Sequence, residues 1–182
     1  EVARGTVRDV DDGMDWLETT FYYVRAESSP EAYDDATLRD RLRDTLEDRV
    51  DRGVIETEGL GLEATPLGDL ASTFYLRLDT ASRFHDLATG EITEAGALET
   101  VARAAEFDSV NARSDERDAI QSVIGKRDMP PGARKVLAIL KASTRGSVPT
   151  ELESDAWVIR QNALRLLAAL HEGALPGFHH WE

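Results

Sequence analysis

The stretch Leu60-Gly-Leu-Glu-Ala-Thr-Pro-Leu-Gly-Asp-Leu-Ala-Ser-Thr-Phe-Tyr75 reads as a short strand running directly into a capped helix. Leu60, Leu62 and Ala64 alternate with Gly61 and Glu63, which puts apolar side chains on one face of an extended segment. Thr65 is suited to cap the helix, and Pro66 to its first position, where a missing N–H costs nothing. Leu67, Leu70, Ala71 and Phe74 then recur at helical spacing. Upstream, Val54-Ile-Glu-Thr57 supplies a partner strand and Glu58-Gly59 the turn between them, so the pair forms a small wing.

The surrounding composition sets limits. The 182 residues suffice for one medium domain or two small ones, and 41% hydrophobic residues suffice for a core. No run of 18 apolar residues or signal peptide is present, so no membrane contact is expected and the cytoplasm is the expected location. The absence of cysteine excludes disulfides, thiolate metal sites and cysteine nucleophiles. His85, His171, His179 and His180 show no metal-ligand spacing, so no metal site is expected; His85 reads as a helix-end residue.

A net charge of −14 argues by itself against a nucleic-acid binder, because phosphate attraction needs a basic surface. Yet only Lys126, Lys135 and Lys141 are lysine, so 18 of the 21 basic residues are arginine, and the acidic residues are spread along the chain. That pattern resembles proteins of extreme halophiles. In concentrated salt, charges are screened beyond roughly 3 Å at 1 M, so stacking and close hydrogen bonds must carry any affinity for a strand.

Along the chain, Asp11-Asp12-Gly13 precedes a helix with Met14, Leu17, Phe21 and Val24 on its apolar face, ended by Glu27-Ser-Ser-Pro30. Leu38, Leu42, Leu46 and Val50 mark the next helix, stopped by Gly53. After the wing and the Pro66 helix, Leu76–Thr80 reads as a connection and Ala81–Leu87 as a helix, with a break at Thr89-Gly90. Two units are expected, 1–88 and 89–172, with the boundary between Phe84 and Thr93. In the second, Leu98, Val101, Ala102 and Ala105 mark one helix finishing near Phe107, and Ser114 caps another reaching Gly125. Asp128-Met-Pro-Pro-Gly132 breaks the chain before a helix marked by Val136, Leu137 and Leu140. Ser154 or Asp155 opens a last helix with Ile159, Ala163, Leu166 and Leu170 buried. The tail Gly173–Glu182 continues no pattern, need not be native, and is left out of the functional reading.

A helix, a hairpin and a helix opening Thr65-Pro-Leu-Gly68 resemble the winged-helix domain of the superkiller-type (Ski-family) superfamily-two nucleic-acid helicases. The run Ala105-Glu-Phe-Asp-Ser-Val-Asn-Ala-Arg-Ser-Asp-Glu116 is similar to their glutamate-phenylalanine pair followed by a short link, an arginine and acidic residues. Ala133–Leu140 and Asp155–Glu172 resemble their Sec-sixty-three-like helical domain, and Val158–Leu170 its ratchet helix. The resemblance implies a mainly α fold, a winged helix with one small hairpin followed by a helical bundle. It also implies an accessory C-terminal region that guides a translocating single strand, with motor domains of the same polypeptide upstream of Glu1 as partners. On that resemblance Trp157, Gln161 and Arg165, with Arg160 and Asn162 flanking, would touch bases; Trp157, Arg160, Gln161 and Arg165 are the candidate strand-binding residues. An indole or guanidinium stacked on a base contributes about 1–3 kcal/mol. Related ratchets place an arginine and an aromatic roughly two turns apart; this chain has them in the reverse order.

Blander readings stand beside these. Trp157 also reads as a core residue near a helix start, and Arg165 as a solvated one. The helix Leu38–Arg52 invites reading as a recognition helix through Arg39, Arg41, Arg43, Arg49 and Arg52, yet Asp40, Asp44, Glu47, Asp48 and Asp51 balance them. Pairs such as Arg43–Glu47 and Asp48–Arg52 suit a solvated face. Asp115-Glu116-Arg117-Asp118 superficially resembles a helicase acidic box but lacks the apolar strand that should precede it. No G-x-x-x-x-G-K-[ST] occurs, so no catalytic residue or cofactor is expected in this chain, ATP and magnesium belonging to the motor domains. The competing readings are a winged-helix transcription regulator with a helical dimerisation domain and a protein–protein scaffold. The regulator would want a basic wing tip, and the tip here is Glu58-Gly59.

Overall fold

A computed structural model describes residues 1–28, 35–59, 61–87 and 93–172. Among them the chain is mainly α-helical with one two-stranded antiparallel hairpin, as the sequence pattern requires. It divides into two compact units, Glu1–Thr73 and Phe74–Glu182.

The first unit contains α1 (Val10–Glu18), α2 (Phe21–Glu27), α3 (Asp35–Asp51), strands β1 (Ile55–Glu58) and β2 (Gly61–Ala64), and α4 (Pro66–Thr73). Ile55 pairs with Ala64 and Glu58 with Gly61, so Glu58, expected in the turn, is the last residue of β1; Leu60 lies outside the described residues. Thr65 organises the junction from both sides. Its hydroxyl donates to the Gly53 carbonyl at 2.7 Å and accepts from the Gly68 N–H at 3.2 Å, capping α4. Gly68 is needed there because an added Cβ would stand 1.8 Å from the Val54 carbonyl oxygen.

One expected helix is in fact two. α1 starts at Val10, with Asp9 capping through the Asp12 N–H at 2.8 Å, so Asp11, Asp12 and Gly13 lie inside the helix. It stops because Thr19 and Thr20 turn their hydroxyls onto the carbonyls of Trp16 and Leu17, at 2.7 and 2.6 Å. α2 starts separately at Phe21. Met14 and Leu38 form the core here, with Leu17, Tyr23 and Leu42 against them, whereas Phe21 is 89% exposed and Val24 is also exposed. The expected stop at Glu27–Pro30 extends past the described residues.

The second unit contains α5 (Leu78–Leu87), α6 (Glu94–Ala102), α7 (Arg117–Ile124), α8 (Pro131–Thr144) and α9 (Glu153–His171). α5 packs on α6 and on a 3-10 turn at Ala105–Phe107, so it groups with this unit, and the division falls earlier in the chain than the window 84–93. The break at Thr89-Gly90 lies outside the described residues, and His85 falls in the last turn of α5. Buried Thr80 explains the packing of α5: its hydroxyl donates to Glu106 and accepts from the Ala105 N–H at 2.9 Å. Glu106 also accepts the Arg77 N–H at 2.8 Å. The run expected as one helix to Phe107 thus ends at Ala102 and tightens into that turn, with Ala105 and Phe107 buried.

α8 is the central element, with Lys135–Leu140 continuously buried among α6, α7 and α9. Gly132 admits the first turn of α8 against the chain before α7; an added Cβ would stand 2.0 Å from the Val110 carbonyl oxygen. Gly132→Ala should therefore force α8 outward and cost about 1–3 kcal/mol, as overpacking does. Denaturant unfolding measures this, and wild-type stability in the variant would contradict the close approach.

Candidate nucleic-acid interface

The last helix is positioned by charge as well as by apolar packing. Ile159, Ala163, Leu166 and Leu170 are buried, with Ala156 and Ala169 extending the same face. Neither Ser154 nor Asp155 caps the helix, which begins at Glu153 after the buried Leu152. Both are engaged from outside: Arg113 Nη2 donates to Ser154 Oγ at 2.9 Å and to Asp155 Oδ2 at 3.1 Å. Lys135 Nζ, 1% exposed, donates to the same Asp155 oxygen at 2.5 Å, to Glu116 Oε1 at 2.6 Å and to the Asn111 carbonyl at 3.3 Å.

Glu116 completes this cluster with no exposed surface, accepting the Arg113 N–H at 2.7 Å and Arg113 Nε at 2.8 Å. Glu116, within the acidic segment Asp115–Asp118, is thus a structural tie at the start of α7, with Arg113 at 3 residues' distance and Lys135 across on α8. The start of α7 is fixed by this tie and not by the expected Ser114 cap. Burial alone would raise the Glu116 carboxyl. The Lys135 ammonium and the Arg113 N–H and guanidinium outweigh it and hold the carboxyl below its ordinary range. Glu116 in turn raises the Arg113 guanidinium.

With one face of α9 fixed, the other is open. Trp157 is 64% exposed and so does not belong to the core. Leu164 and Ala168 follow it at i+7 and i+11, with Arg160 and Gln161 exposed on either side. Arg160 Nε returns to the Ala156 carbonyl at 3.2 Å, and Asn162, half-buried, donates to the Val158 carbonyl at 3.3 Å. Arg165 sits at the edge of the stripe, half-buried, with Nη1 donating to the carbonyls of Phe74 and of Tyr75, the latter at 2.8 Å. Four candidate residues therefore lie on one helix, with Trp157, Arg160 and Gln161 exposed and Arg165 committed in part to backbone.

Tyr75 is an aromatic that the sequence pattern hid. The helical repeat that begins at Pro66 masks it, but it stands beyond α4 with φ 51° and 74% exposure. A tyrosine in the left-handed region is uncommon, and the Arg165 guanidinium on its carbonyl helps hold it there. The Lys135 cluster was also missed, although a lysine opening an apolar helical run is a signal that a buried partner must exist.

The features that a reader of duplex DNA would use are occupied or acidic. Arg39 pairs with Asp11, Arg49 and Arg52 with Asp48, and Arg41 reaches the Tyr22 hydroxyl. Arg43 pairs at 2.9 Å with Asp40, one turn back, and not with Glu47. At the hairpin, a hydrogen bond and repulsion from Glu58, with Glu56 adding, push the Glu63 carboxyl up. No group of His, Cys, Asp or Glu among the described residues could hold a metal, and no described helix is long and apolar enough to cross a membrane.

Residues 64–176 match the model of the Sec63 Brl domain, a window from the end of β2 through α9. Over 96% of its length the chain is 30% identical to activating signal cointegrator 1 complex subunit 3 of Homo sapiens, covering 9% of that protein. It is 26% identical over 93% of its length to the RQC trigger complex helicase of Saccharomyces cerevisiae, covering 10%. A DExH-box ATP-dependent RNA helicase of Arabidopsis thaliana is 28% identical over 93% of the chain, with 9% of the relative covered. The chain thus spans about a tenth of the length of these relatives.

Two measurements check the tie that orients α9. Lys135→Ala leaves Glu116 buried with one cation fewer and should cost about 3–5 kcal/mol in denaturant unfolding. The folded Glu116 pKa lies below its unfolded value, so its contribution is present above about pH 4.3 and lost as pH falls through the folded value. The thermal midpoint should therefore drop below about pH 4, and Glu116→Gln should flatten that dependence. A midpoint insensitive to acid in the wild type would contradict the assignment.

Proposed function

The chain belongs to the Sec63 Brl domain family, and from that premise we propose that it is the accessory C-terminal region of an ATP-dependent helicase that guides a single strand. The observation that carries this reading is the α9 face. One side is fixed by apolar packing and a buried ion cluster, while the other presents an exposed indole with Arg160 and Gln161 beside it. A base can stack on Trp157, and Gln161 can donate and accept along base edges. Arg165 keeps further N–H groups and its planar face for the strand, while Nη1 anchors the Phe74–Tyr75 turn. Tyr75 adds a second exposed aromatic near the other end of the stripe, about 12 Å along the helix from Trp157 to Arg165. The relative from Arabidopsis thaliana named as an RNA helicase supports RNA as the strand.

The first unit is, on this reading, the winged helix beside the motor, and its paired arginines and acidic hairpin suit packing against protein better than reading duplex DNA. The arginine-rich, acidic composition supports a halophilic, archaeal source in which stacking replaces long-range attraction. ATP and magnesium are held by the motor domains, so this chain alone should hydrolyse no ATP. Turnover above a buffer control in a preparation free of contaminating ATPases would overturn that part.

The decisive variant is Trp157→Ala in the intact helicase. Unwinding per ATP hydrolysed should fall several-fold, with the melting midpoint within about 0.5 kcal/mol of wild type in stability terms, since an exposed side chain is lost. Wild-type coupling in the variant would rule out this face as the strand contact. Arg165→Ala should lower both coupling and stability, the latter by about 1.5–3 kcal/mol for a charged hydrogen bond.

A further inference from the structure

The Glu116–Lys135 bridge has a second geometric effect. Each partner is followed or preceded in the chain by an arginine: Arg117 on α7 and Arg134 on α8. Drawing the inward members together sets the two outward members side by side on a cavity of about 380 Å³, lined by Ala112, Arg117, Ile120, Gln121, Pro131 and Arg134. Among the described residues neither guanidinium has a hydrogen-bond or ion-pair partner, in a chain with 35 acidic residues against 21 basic. The surrounding arginines differ: Arg77 and Arg127 pair with Asp108 and Glu99, and Arg83 and Arg103 donate to carbonyls. Arg134 Nε is moreover a buried donor left without an acceptor. A buried charged donor without an acceptor is costly, and an anion is one species that satisfies it.

We propose that Arg117 and Arg134 form a phosphate-binding site, with Gln121 at its rim, that takes a phosphodiester of the guided strand. Two guanidinium forks converging from separate helices suit two non-bridging oxygens of one phosphate. The anion site itself stands on the cavity and the orphaned donor; naming the strand as its source rests on the proposed function.

The test uses the whole 182-residue chain. Inorganic phosphate is titrated at constant ionic strength while the arginine Nε–H resonances are followed by NMR. Arg134 Nε–H should shift saturably in the wild type and not in Arg117→Gln, with unchanged melting confirming that the variant folds. Separately, oligouridylate binding is measured against salt. The doubly substituted Arg117→Gln, Arg134→Gln chain should lose about 0.7 from the slope of log K on log salt, since the two groups together neutralise one phosphate of a single strand. Absence of any arginine shift with phosphate would overturn the site, whatever the oligonucleotide does. A phosphate shift with an unchanged salt slope would overturn the strand as its source. Shifts produced by a glutamate-rich peptide but not by phosphate would overturn it in favour of an acidic protein partner. Failure of wild-type chain to bind oligouridylate, with the phosphate shift intact, would count against the proposed function and leave the anion site supported.

Discussion

Lys135 Nζ, sealed from solvent between Glu116 and Asp155, is the interaction on which the second unit depends. Those contacts join the start of α7, the second turn of α8 and the first turn of α9, with Arg113 closing the cluster from the preceding segment. Apolar packing alone leaves a helix some freedom to rotate or slide, because leucine and alanine contacts are not directional. An ammonium with a limited set of acceptors is directional, and losing one acceptor leaves a charge in an apolar interior. The cluster therefore fixes which turn of α9 meets α8. Trp157 lies two residues beyond Asp155, so the exposed face inherits that register.

The same tie orders the opposite side of α7 and α8. Residues adjacent in sequence point in different directions on a helix, so pairing Glu116 with Lys135 leaves Arg117 and Arg134 facing elsewhere together. Strand contacts on α9 and an anion site between α7 and α8 would then share one anchor. In a chain of net charge −14, unpaired arginines matter more than the total. Short-range stacking and individually placed guanidinium groups can hold a strand where the global field repels it.

Much of the fold was legible because its signals are local. The hairpin, the Thr65 cap, Pro66 at the first position of α4 and the buried stripe of α9 each follow from residues within one or two turns of each other. The misses have equally specific causes. The break between α1 and α2 comes from two threonine hydroxyls that compete for helix carbonyls, which an apolar repeat does not register. Arg43 chose Asp40 over Glu47 because both lie within reach on the same helix surface. The Lys135 cluster joins residues 19 and 20 positions apart, and Arg165 meets Tyr75 across 90, separations at which sequence spacing carries no geometry. Of the candidate strand residues, helical periodicity placed Trp157, Arg160 and Gln161 on an open face, but could not show that Arg165 also holds a backbone turn.

The central claim is that the open face of α9 lies along the strand. A single strand carrying photoreactive thiouridine, bound to the intact helicase and irradiated, tests it most directly. Crosslinks are expected on the segment 157–165, with Trp157 foremost and Tyr75 as the other aromatic within reach. Crosslinks confined to α3 and the hairpin, with α9 unlabelled, would contradict it.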